Sequence, residues 1–196
     1  MRKATIRRKT GETDVSVEVN LDGKGEGRID TSVPFLDHML NLFCKHGSLD
    51  LTVRSQGDIA IDAHHLVEDV GICLGQSVRK ALSDRKGICR YGTAMVPMDE
   101  SLCSVSMDLS GRPYLIWRAK LGSARIGEFD PALLREFFKS FSDHGGITLH
   151  INLNYGTNVH HMAEAIFKAF ARAFREAVAI DGRVEGIPST KGSLDV

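Results

Sequence analysis

The sequence has no excess of either charge, because 25 Lys and Arg side chains balance 25 Asp and Glu side chains in 196 residues. Duplex nucleic acid is bound largely through surplus cations, so nucleic acid is not an expected partner. No run approaches the roughly 18 apolar residues of a membrane span, and the start MRKATIRRKTGET has no apolar stretch typical of a secretory signal. We therefore expect a cytoplasmic protein that does not use a membrane.

Cysteine is also scarce, and no two cysteines form a CxxC pair. This spacing argues against a thiolate metal site or a disulfide framework, and predicts buried, reduced thiols. The four are Cys44, Cys73, Cys89 and Cys103. Hydrophobic residues make up 42% of the chain, enough for a core without covalent cross-links. Histidine is the unusual residue, since four of the eight form two doublets.

The hydrophobic pattern predicts the same order of elements twice. In the first copy we expect strands near 3–9, 14–21, 25–31 and 48–56, and helices over 34–45 and 63–84. In the second we expect strands near 91–98, 102–109, 113–121 and 147–154, and helices over 131–142 and 159–179. Pro34 and Pro131 stand at helix starts, where proline is favoured. Each copy is a βββαβα unit, the first over 1–87 and the second, with a C-terminal tail, over 88–196.

Residue identities indicate a true duplication. A shift of 88 aligns 15–23 with 103–111, at four identities in nine, and Glu12 with Glu100. A shift of 96 aligns HHLVED (64–69) with HHMAEA (160–165), and chance rarely recovers both histidines and the glutamate. We predict one compact α+β domain built by internal duplication. It has two four-stranded sheets, each covered on one face by helices.

The doublets have the spacing of metal ligands on a helix. In His64-His65-x-x-Glu68 the carboxylate lies on the side of both histidines, while the two imidazoles diverge. One ion can take one imidazole and the carboxylate, so the other imidazole serves a second ion. The repeat supplies His160, His161 and Glu164. Two ions are expected, each with ligands from both halves or from neighbouring subunits. This donor set suits Mn, Fe, Co or Zn equally. The alternative, ordinary hydrogen-bonded histidines, does not explain the matched positions.

A second group of candidates lies around the shorter helices. His38 and His46 are separated by eight residues, about 40° on a helical wheel, and share a broad face. Asp37 is expected to orient His38. A shift of 98 places Glu136 at the position of His38, where it can ligate through oxygen. The alternative for His46 is a place at a helix C-terminus before a glycine, and we favour that reading for His144.

Four segments carry a family resemblance. They are PFLDHML (34–40), the paired HHLVED and HHMAEA, DLSGRPY (108–114) and IPSTKG (187–192). Together they closely resemble imidazoleglycerol-phosphate dehydratase, a lyase of histidine biosynthesis, over nearly the whole chain. The chain has no phosphatase segment, so the monofunctional form is expected.

The resemblance implies two Mn²⁺ per active site and a homo-oligomer of 24 subunits with active sites at subunit interfaces. It implies metal ligands at His38, His64, His65, Glu68, His160, His161 and Glu164. Many members carry histidine where this sequence has Glu136. That difference leaves open whether Glu136 is the eighth ligand, binds through water, or does not bind.

The resemblance also implies a reaction and its residues. D-erythro-imidazole-glycerol phosphate would lose water to give imidazole-acetol phosphate, with two ions holding the substrate ring as an imidazolate that expels the hydroxyl. Glu12 is the candidate base, although it also fits a solvated charge, and His46 is placed near the substrate. Catalytic roles are further expected for Glu68 and Glu164. The phosphate-binding candidates are Arg90, Arg112, Ser189, Thr190 and Lys191. Other expected substrate contacts are Glu12, His38, His46, His64, Glu68, His160 and Lys168.

Two other functions fit the same residues. A two-metal phosphohydrolase would release inorganic phosphate from small esters. A non-catalytic protein that uses the doublets to lock an oligomer would lose its assembly, and no turnover, when the metal is removed.

Overall fold

The computed structural model describes residues 1–194, which form eight strands and four helices. The first half contains β1 (Lys3–Lys9), β2 (Thr13–Asn20), β3 (Gly27–Asp30), α1 (Pro34–Gly47), β4 (Asp50–Gly57) and α2 (His64–Leu82). The second contains β5 (Tyr91–Met98), β6 (Ser101–Asp108), β7 (Tyr114–Arg118), α3 (Leu133–Gly145), β8 (Thr148–Tyr155) and α4 (Val159–Val178). All bounds lie within three residues of those predicted. Within residues 1–194, none of these helices is long and apolar enough to cross a bilayer.

The two sheets have the same topology. Their strand orders are β1-β2-β4-β3 and β5-β6-β8-β7, and in each only the last pair is parallel. A parallel pair needs a crossover, which α1 and α3 supply. Alternation along β2 buries Val15, Val17 and Val19 completely and leaves polar residues on the other face. The predicted α+β fold with a duplicated βββαβα unit is confirmed.

The helices pack across the two halves. α2 covers β1 and β2, and α4 covers β5 and β6, so each sheet has one helical face. α1 packs on α4 and α3 packs on α2, so each contact joins one half to the other. The predicted boundary at 87/88 lies between α2 and β5, and the last two residues of the predicted second half, 195 and 196, lie outside the described residues. The cross-half packing decides which histidines meet.

Phenylalanines fill the centre where α1, α3 and α4 meet. Phe43 stacks on Phe170 with ring centroids 4.9 Å apart, and Phe138 lies 5.1 Å from the same ring. All three side chains are fully buried. Each such aromatic pair stabilises the folded state by about 0.5–1.5 kcal/mol beyond the effect of burial. These contacts therefore help to hold α1, α3 and α4 together.

The C-termini of α1 and α3 lie two and three residues beyond the predicted ends at 45 and 142. The helices include Gly47 and Gly145. The residues that follow and cap them, Ser48 and Gly146, adopt the left-handed conformation with φ of 54° and 64°. Gly47 lies in a tight contact, because a Cβ there would lie 3.1 Å from the Leu49 side chain, which would have to shift slightly. The histidine before each of these glycines lies in the last turn, where a cation favours the helix dipole.

The cysteines are reduced, and three of the four are buried as predicted. Burial raises the pKa of Cys44, Cys73 and Cys103 to about 12, so these remain thiols at neutral pH. Cys89 is only half-buried.

Gly75 lies at a close approach of α2 to α3. A Cβ at this position would lie 2.6 Å from the Phe141 carbonyl oxygen and 2.9 Å from the Gly145 nitrogen. We expect Gly75→Ala to lower the free energy of unfolding by about 1–3 kcal/mol, because this overpacking exceeds alanine's gain in helix propensity of about 1 kcal/mol. Denaturant titration measures the change. Gly182→Ala is the control, since nothing lies within 4 Å of its Cβ position. Equal stability of Gly75→Ala and wild type would contradict this account of the helix contact.

Candidate metal centre and active site

Three potential ligands meet where α1 packs on α4. His38 Nε2 lies 2.9 Å from Glu164 Oε1, and His160 Nε2 lies 3.0 Å from the same oxygen. One ligand atom from each residue lies within 4.8 Å of the others. His38 belongs to the first half and the other two to the second, so this group draws on both halves.

The start of α4 holds its part of this group in place. His160 and Glu164 are four residues apart and therefore lie one above the other on the helix. The Asn158 side chain caps the helix by accepting hydrogen bonds from His160 N at 2.9 Å and His161 N at 3.3 Å. The Phe35 ring packs edge-on against the His160 imidazole, 5.4 Å between centroids. Local sequence thus fixes the helix start, whereas the imidazole is packed by a residue of α1.

Glu164 is a buried carboxylate surrounded by donors. Its side chain is 11% exposed, and its second oxygen lies 2.6 Å from Lys168 Nζ. Burial by itself would raise the pKa of Glu164, but hydrogen bonds from Lys168, His38 and His160 outweigh it and lower the pKa to about 2. The carboxylate is therefore charged at neutral pH, as a metal ligand must be.

His46 of α1 lies near the face of α4 that carries Glu164, Lys168 and Arg172. Partial burial lowers its pKa, and the positive charges of Lys168 and Arg172 lower it further, while Glu164 opposes them. The imidazole is therefore neutral at pH 7 and lies close to the charged residues of α4.

Asp37 does not orient His38, contrary to the sequence prediction. Its Oδ1 accepts hydrogen bonds from the Thr31 backbone N at 2.9 Å and from Thr31 Oγ1 at 2.5 Å. Asp37 stands in the first turn of α1, where a carboxylate is favoured, and it ties that turn to the end of β3.

A second group contains Glu12, Asp58 and His65. His65 Nδ1 lies 3.0 Å from Asp58 Oδ2 and 3.7 Å from Glu12 Oε2. The hydrogen bond to Asp58, with the nearby charge of Glu12, raises the pKa of His65. The Glu12 side chain is 59% exposed, so its carboxylate is accessible to a ligand.

The turn that carries Glu12 is tied to α2. Thr10 Oγ1 accepts hydrogen bonds from the backbone N of Glu12 at 3.1 Å and of Thr13 at 3.0 Å. Thr13 Oγ1 donates to Asp69, whose other oxygen accepts from Arg8 Nε at 2.7 Å. Asp69 is buried, so this link holds the Glu12 turn beside the helix of the first doublet.

The duplicate of Glu12 has a different role. Glu100 Oε2 lies 2.7 Å from His161 Nδ1, and Oε1 accepts from the backbone N of Thr157 at 3.1 Å and of Asn158 at 2.8 Å. The hydrogen bond with His161, followed by these amides, holds the pKa of Glu100 well below its usual range. Glu100 therefore fixes the start of α4. His65 and His161 both engage a carboxylate through Nδ1, which leaves Nε2 to act as a ligand.

His64, Glu68 and Glu136 are not brought together. Within residues 1–194 they join no group of three potential ligands. The Glu136 carboxylate lies 2.9 Å from Arg135 Nη1. His64 is half-buried, and its backbone N donates to Asp62.

Two of the candidate phosphate residues, Arg90 and Arg112, contact Asp108. Arg90 Nε and Nη2 donate to the two Asp108 oxygens at 2.7 and 3.0 Å, and Nη1 donates to the Pro188 carbonyl at 2.8 Å. Arg112 Nη2 lies 3.5 Å from Asp108. Pro188 directly precedes the predicted segment Ser189–Lys191, so the three predicted elements meet.

Sequence reasoning missed four acidic residues at these sites. Asp58 follows the end of β4, Glu100 precedes β6, Asp108 ends β6, and Asp69 is buried on α2. Only Glu100 had a usable signal, because it aligns with Glu12 in the duplication. The other three make contacts with residues outside their own strand or helix, which the spacing within one element does not predict.

The fold and these groups define a class: a duplicated α+β protein with imidazoles and carboxylates gathered at the N-terminal ends of its long helices. Residues 31–174 match the family model described as imidazoleglycerol-phosphate dehydratase. A protein of that name from Syntrophus aciditrophicus is 60% identical over 99% of both chains. One from Geobacter metallireducens is 57% identical over 98% of this chain and 99% of the other.

Solved structures of the same family are similar to this fold. The crystal structure of imidazoleglycerol-phosphate dehydratase from Staphylococcus aureus has a TM-score of 0.83 at 40% identity, covering 91% of this chain and 99% of that one. The Pyrococcus furiosus structure, in complex with (S)-C348, has a TM-score of 0.83 at 38% identity and covers 96% and 99%. The chain belongs to the imidazoleglycerol-phosphate dehydratase family and is a hydro-lyase. The resemblance stated from the sequence is confirmed.

Proposed function

We propose that this enzyme dehydrates D-erythro-imidazole-glycerol phosphate to imidazole-acetol phosphate, within histidine biosynthesis and in the cytoplasm. Family membership supports the reaction. The observation that carries the proposal is the meeting of His38, His160 and Glu164 across the two halves. The second group contains the accessible carboxylate of Glu12, which can serve as a base in this reaction.

The donor set fits two Mn²⁺ ions. Two Nε2 atoms point at one charged carboxylate oxygen, and nitrogen and oxygen donors without thiolate suit this metal. His38, His160 and Glu164 would hold one ion in part, and the remaining ligands would come from His64, His65, Glu68, Glu136 and His161. When bound, the ions would supply Lewis acidity to the substrate's imidazole ring, which favours its deprotonated, electron-rich form.

One chain supplies an incomplete site, which supports a homo-oligomer, of 24 subunits by family resemblance, with active sites at subunit interfaces. His161 joins no group of three potential ligands within residues 1–194, and its nearest carboxylate on the Nε2 side is that of Asp99 at 3.8 Å. The uncovered face of the second sheet carries exposed Tyr91, Met95 and Tyr114, whereas that of the first sheet is polar. Apolar patches of this kind are typical of subunit contacts.

Glu12 accounts for the proton transfer from carbon. The substrate's C–O bond next to the ring breaks, and the hydroxyl leaves as water with the proton that the ring N–H has given up. Glu12 then takes the proton from the neighbouring carbon, and the resulting enol becomes the ketone. His46 and Lys168 contact the substrate beside Glu164. The cationic and hydroxyl groups of Arg90, Arg112, Ser189, Thr190 and Lys191 bind the phosphate.

The deciding experiment incubates manganese-loaded protein with imidazole-glycerol phosphate and follows ketone formation. Release of inorganic phosphate instead would indicate a phosphohydrolase. Loss of assembly on chelation, with no turnover before it, would indicate a structural metal. A folded, metal-replete sample without ketone formation would overturn the proposal.

Glu136 offers a test of the ligand set, because it occupies the position equivalent to His38. We propose that its carboxylate binds metal. Glu136→Ala is then expected to weaken binding of one manganese ion by about 10–100-fold or more, whereas Glu136→His retains it. Metal content after dialysis at graded manganese concentrations measures this. If Glu136→Ala binds both ions as wild type does, Glu136 is not a ligand.

A further inference from the structure

Asp108, the last residue of β6, contacts both arginines assigned above to the substrate phosphate. Its two oxygens accept hydrogen bonds from Arg90 Nε and Nη2 at 2.7 and 3.0 Å, and Oδ2 lies 3.5 Å from Arg112 Nη2. Asp108 and Arg90 are 16% and 12% exposed, and Arg112 is 52% exposed. One shielded carboxylate therefore holds Arg90 by two hydrogen bonds and lies within ion-pair distance of the more exposed Arg112.

Arg90 retains donors for an anion. A guanidinium has five N–H donors. Asp108 takes two along one edge, and the Pro188 carbonyl takes one from Nη1 at 2.8 Å. Within residues 1–194 these bonds leave two donors on Arg90. Since Asp108 holds the guanidinium side-on, the direction of those two donors is set as well.

The same arginine anchors the C-terminal tail. Pro188, which Arg90 holds, directly precedes Ser189–Lys191, and the Lys191 backbone N donates to Ser189 Oγ at 3.1 Å. Further along, the Leu194 carbonyl lies against Gly111, where a Cβ would be only 2.0 Å from its oxygen. The C-terminal tail therefore contacts both Arg90, at Pro188, and the turn that precedes Arg112, at Leu194.

We propose that Asp108 is a positioning residue, which aims Arg90 and Arg112 at one phosphate site and, through Arg90 and Pro188, places Ser189–Lys191 beside it. This inference rests on the proposed function for the identity of the anion. Asp108 is itself negative and would repel a phosphate, so its benefit to binding is geometric.

Charge and geometry predict opposite results for Asp108→Asn. The substitution keeps the side-chain size but raises the summed charge of Arg90, Arg112 and residue 108 from +1 to +2. Charge alone would tighten phosphate binding. Loss of the charge-assisted pair would release the arginines, so we expect KM to rise roughly tenfold with kcat within about threefold of wild type. Asp108→Glu, which keeps the carboxylate, is expected to recover part of the affinity.

The duplication provides a matched control. A shift of 88 places Arg2 on Arg90, and Arg2 Nε and Nη2 donate to Asp22 at 3.1 and 2.6 Å, while Nη1 donates to the Val178 carbonyl. Asp22→Asn removes the carboxylate that pairs with the duplicate of Arg90, in the half that has no assigned phosphate residue. We expect it to leave KM unchanged.

Inorganic phosphate separates this inference from the proposed function. Calorimetric titration should show roughly tenfold weaker phosphate binding by Asp108→Asn, with no change in Asp22→Asn. In an Arg90→Ala background, Asp108→Asn should lose most of its effect. An unchanged or lower KM and phosphate Kd in Asp108→Asn would overturn the inference. If wild type made no ketone but showed this pattern with phosphate, the proposed function would fail and the positioning role would stand.

Discussion

Glu12→Gln is expected to lower kcat by about 10²–10⁴-fold while metal content stays at the wild-type level. The substitution keeps the shape of the side chain and removes its ability to take a proton. Glu12 is well suited to that role, because its carboxylate is accessible, lies 3.7 Å from His65 Nδ1 and stands on a turn tied to α2 through Asp69.

Steady-state kinetics with metal analysis on the same sample measure this effect. Glu18→Gln on β2 is the control, because Glu18 is an exposed glutamate of the neighbouring strand and should give wild-type kcat. Near-normal turnover of Glu12→Gln would show that another group takes the proton. A parallel loss of manganese would instead make Glu12 part of the metal site.

Glu164→Gln is expected to have the second large effect, the loss of one manganese ion. The amide has one neutral oxygen where Glu164 now presents a charged oxygen to His38 and His160, and another to Lys168. We expect manganese affinity at that site to fall by at least about 100-fold, and turnover to fall by at least about 10³-fold, because the site loses both charge and geometry.

Glu176→Gln is the matched control on the same helix. Glu176 accepts a hydrogen bond from the Thr93 backbone N at 2.8 Å, and glutamine can accept it too. Metal content and kcat should then match wild type. A Glu164→Gln enzyme that binds two ions and turns over normally would remove Glu164 from the ligand set. Thermal midpoints of both variants would show whether unfolding contributes.

Helix and strand periods, together with the duplication, were sufficient to predict the elements and their order. The spacing of His160 and Glu164 is also a local property, since side chains four residues apart on a helix meet wherever that helix lies. The same reasoning placed each doublet correctly at the start of a long helix.

The sequence by itself therefore determined the duplicated fold and the groups that one element can assemble. Only the tertiary structure decided that α1 packs on α4, which brings His38 to a glutamate 126 positions away. It also decided that His65 meets Asp58, that Glu100 is bound while its duplicate Glu12 is accessible, and that Asp108 holds Arg90. The physical reason is that backbone geometry fixes spacing within an element, whereas pairing between elements depends on the burial of whole helix and sheet faces.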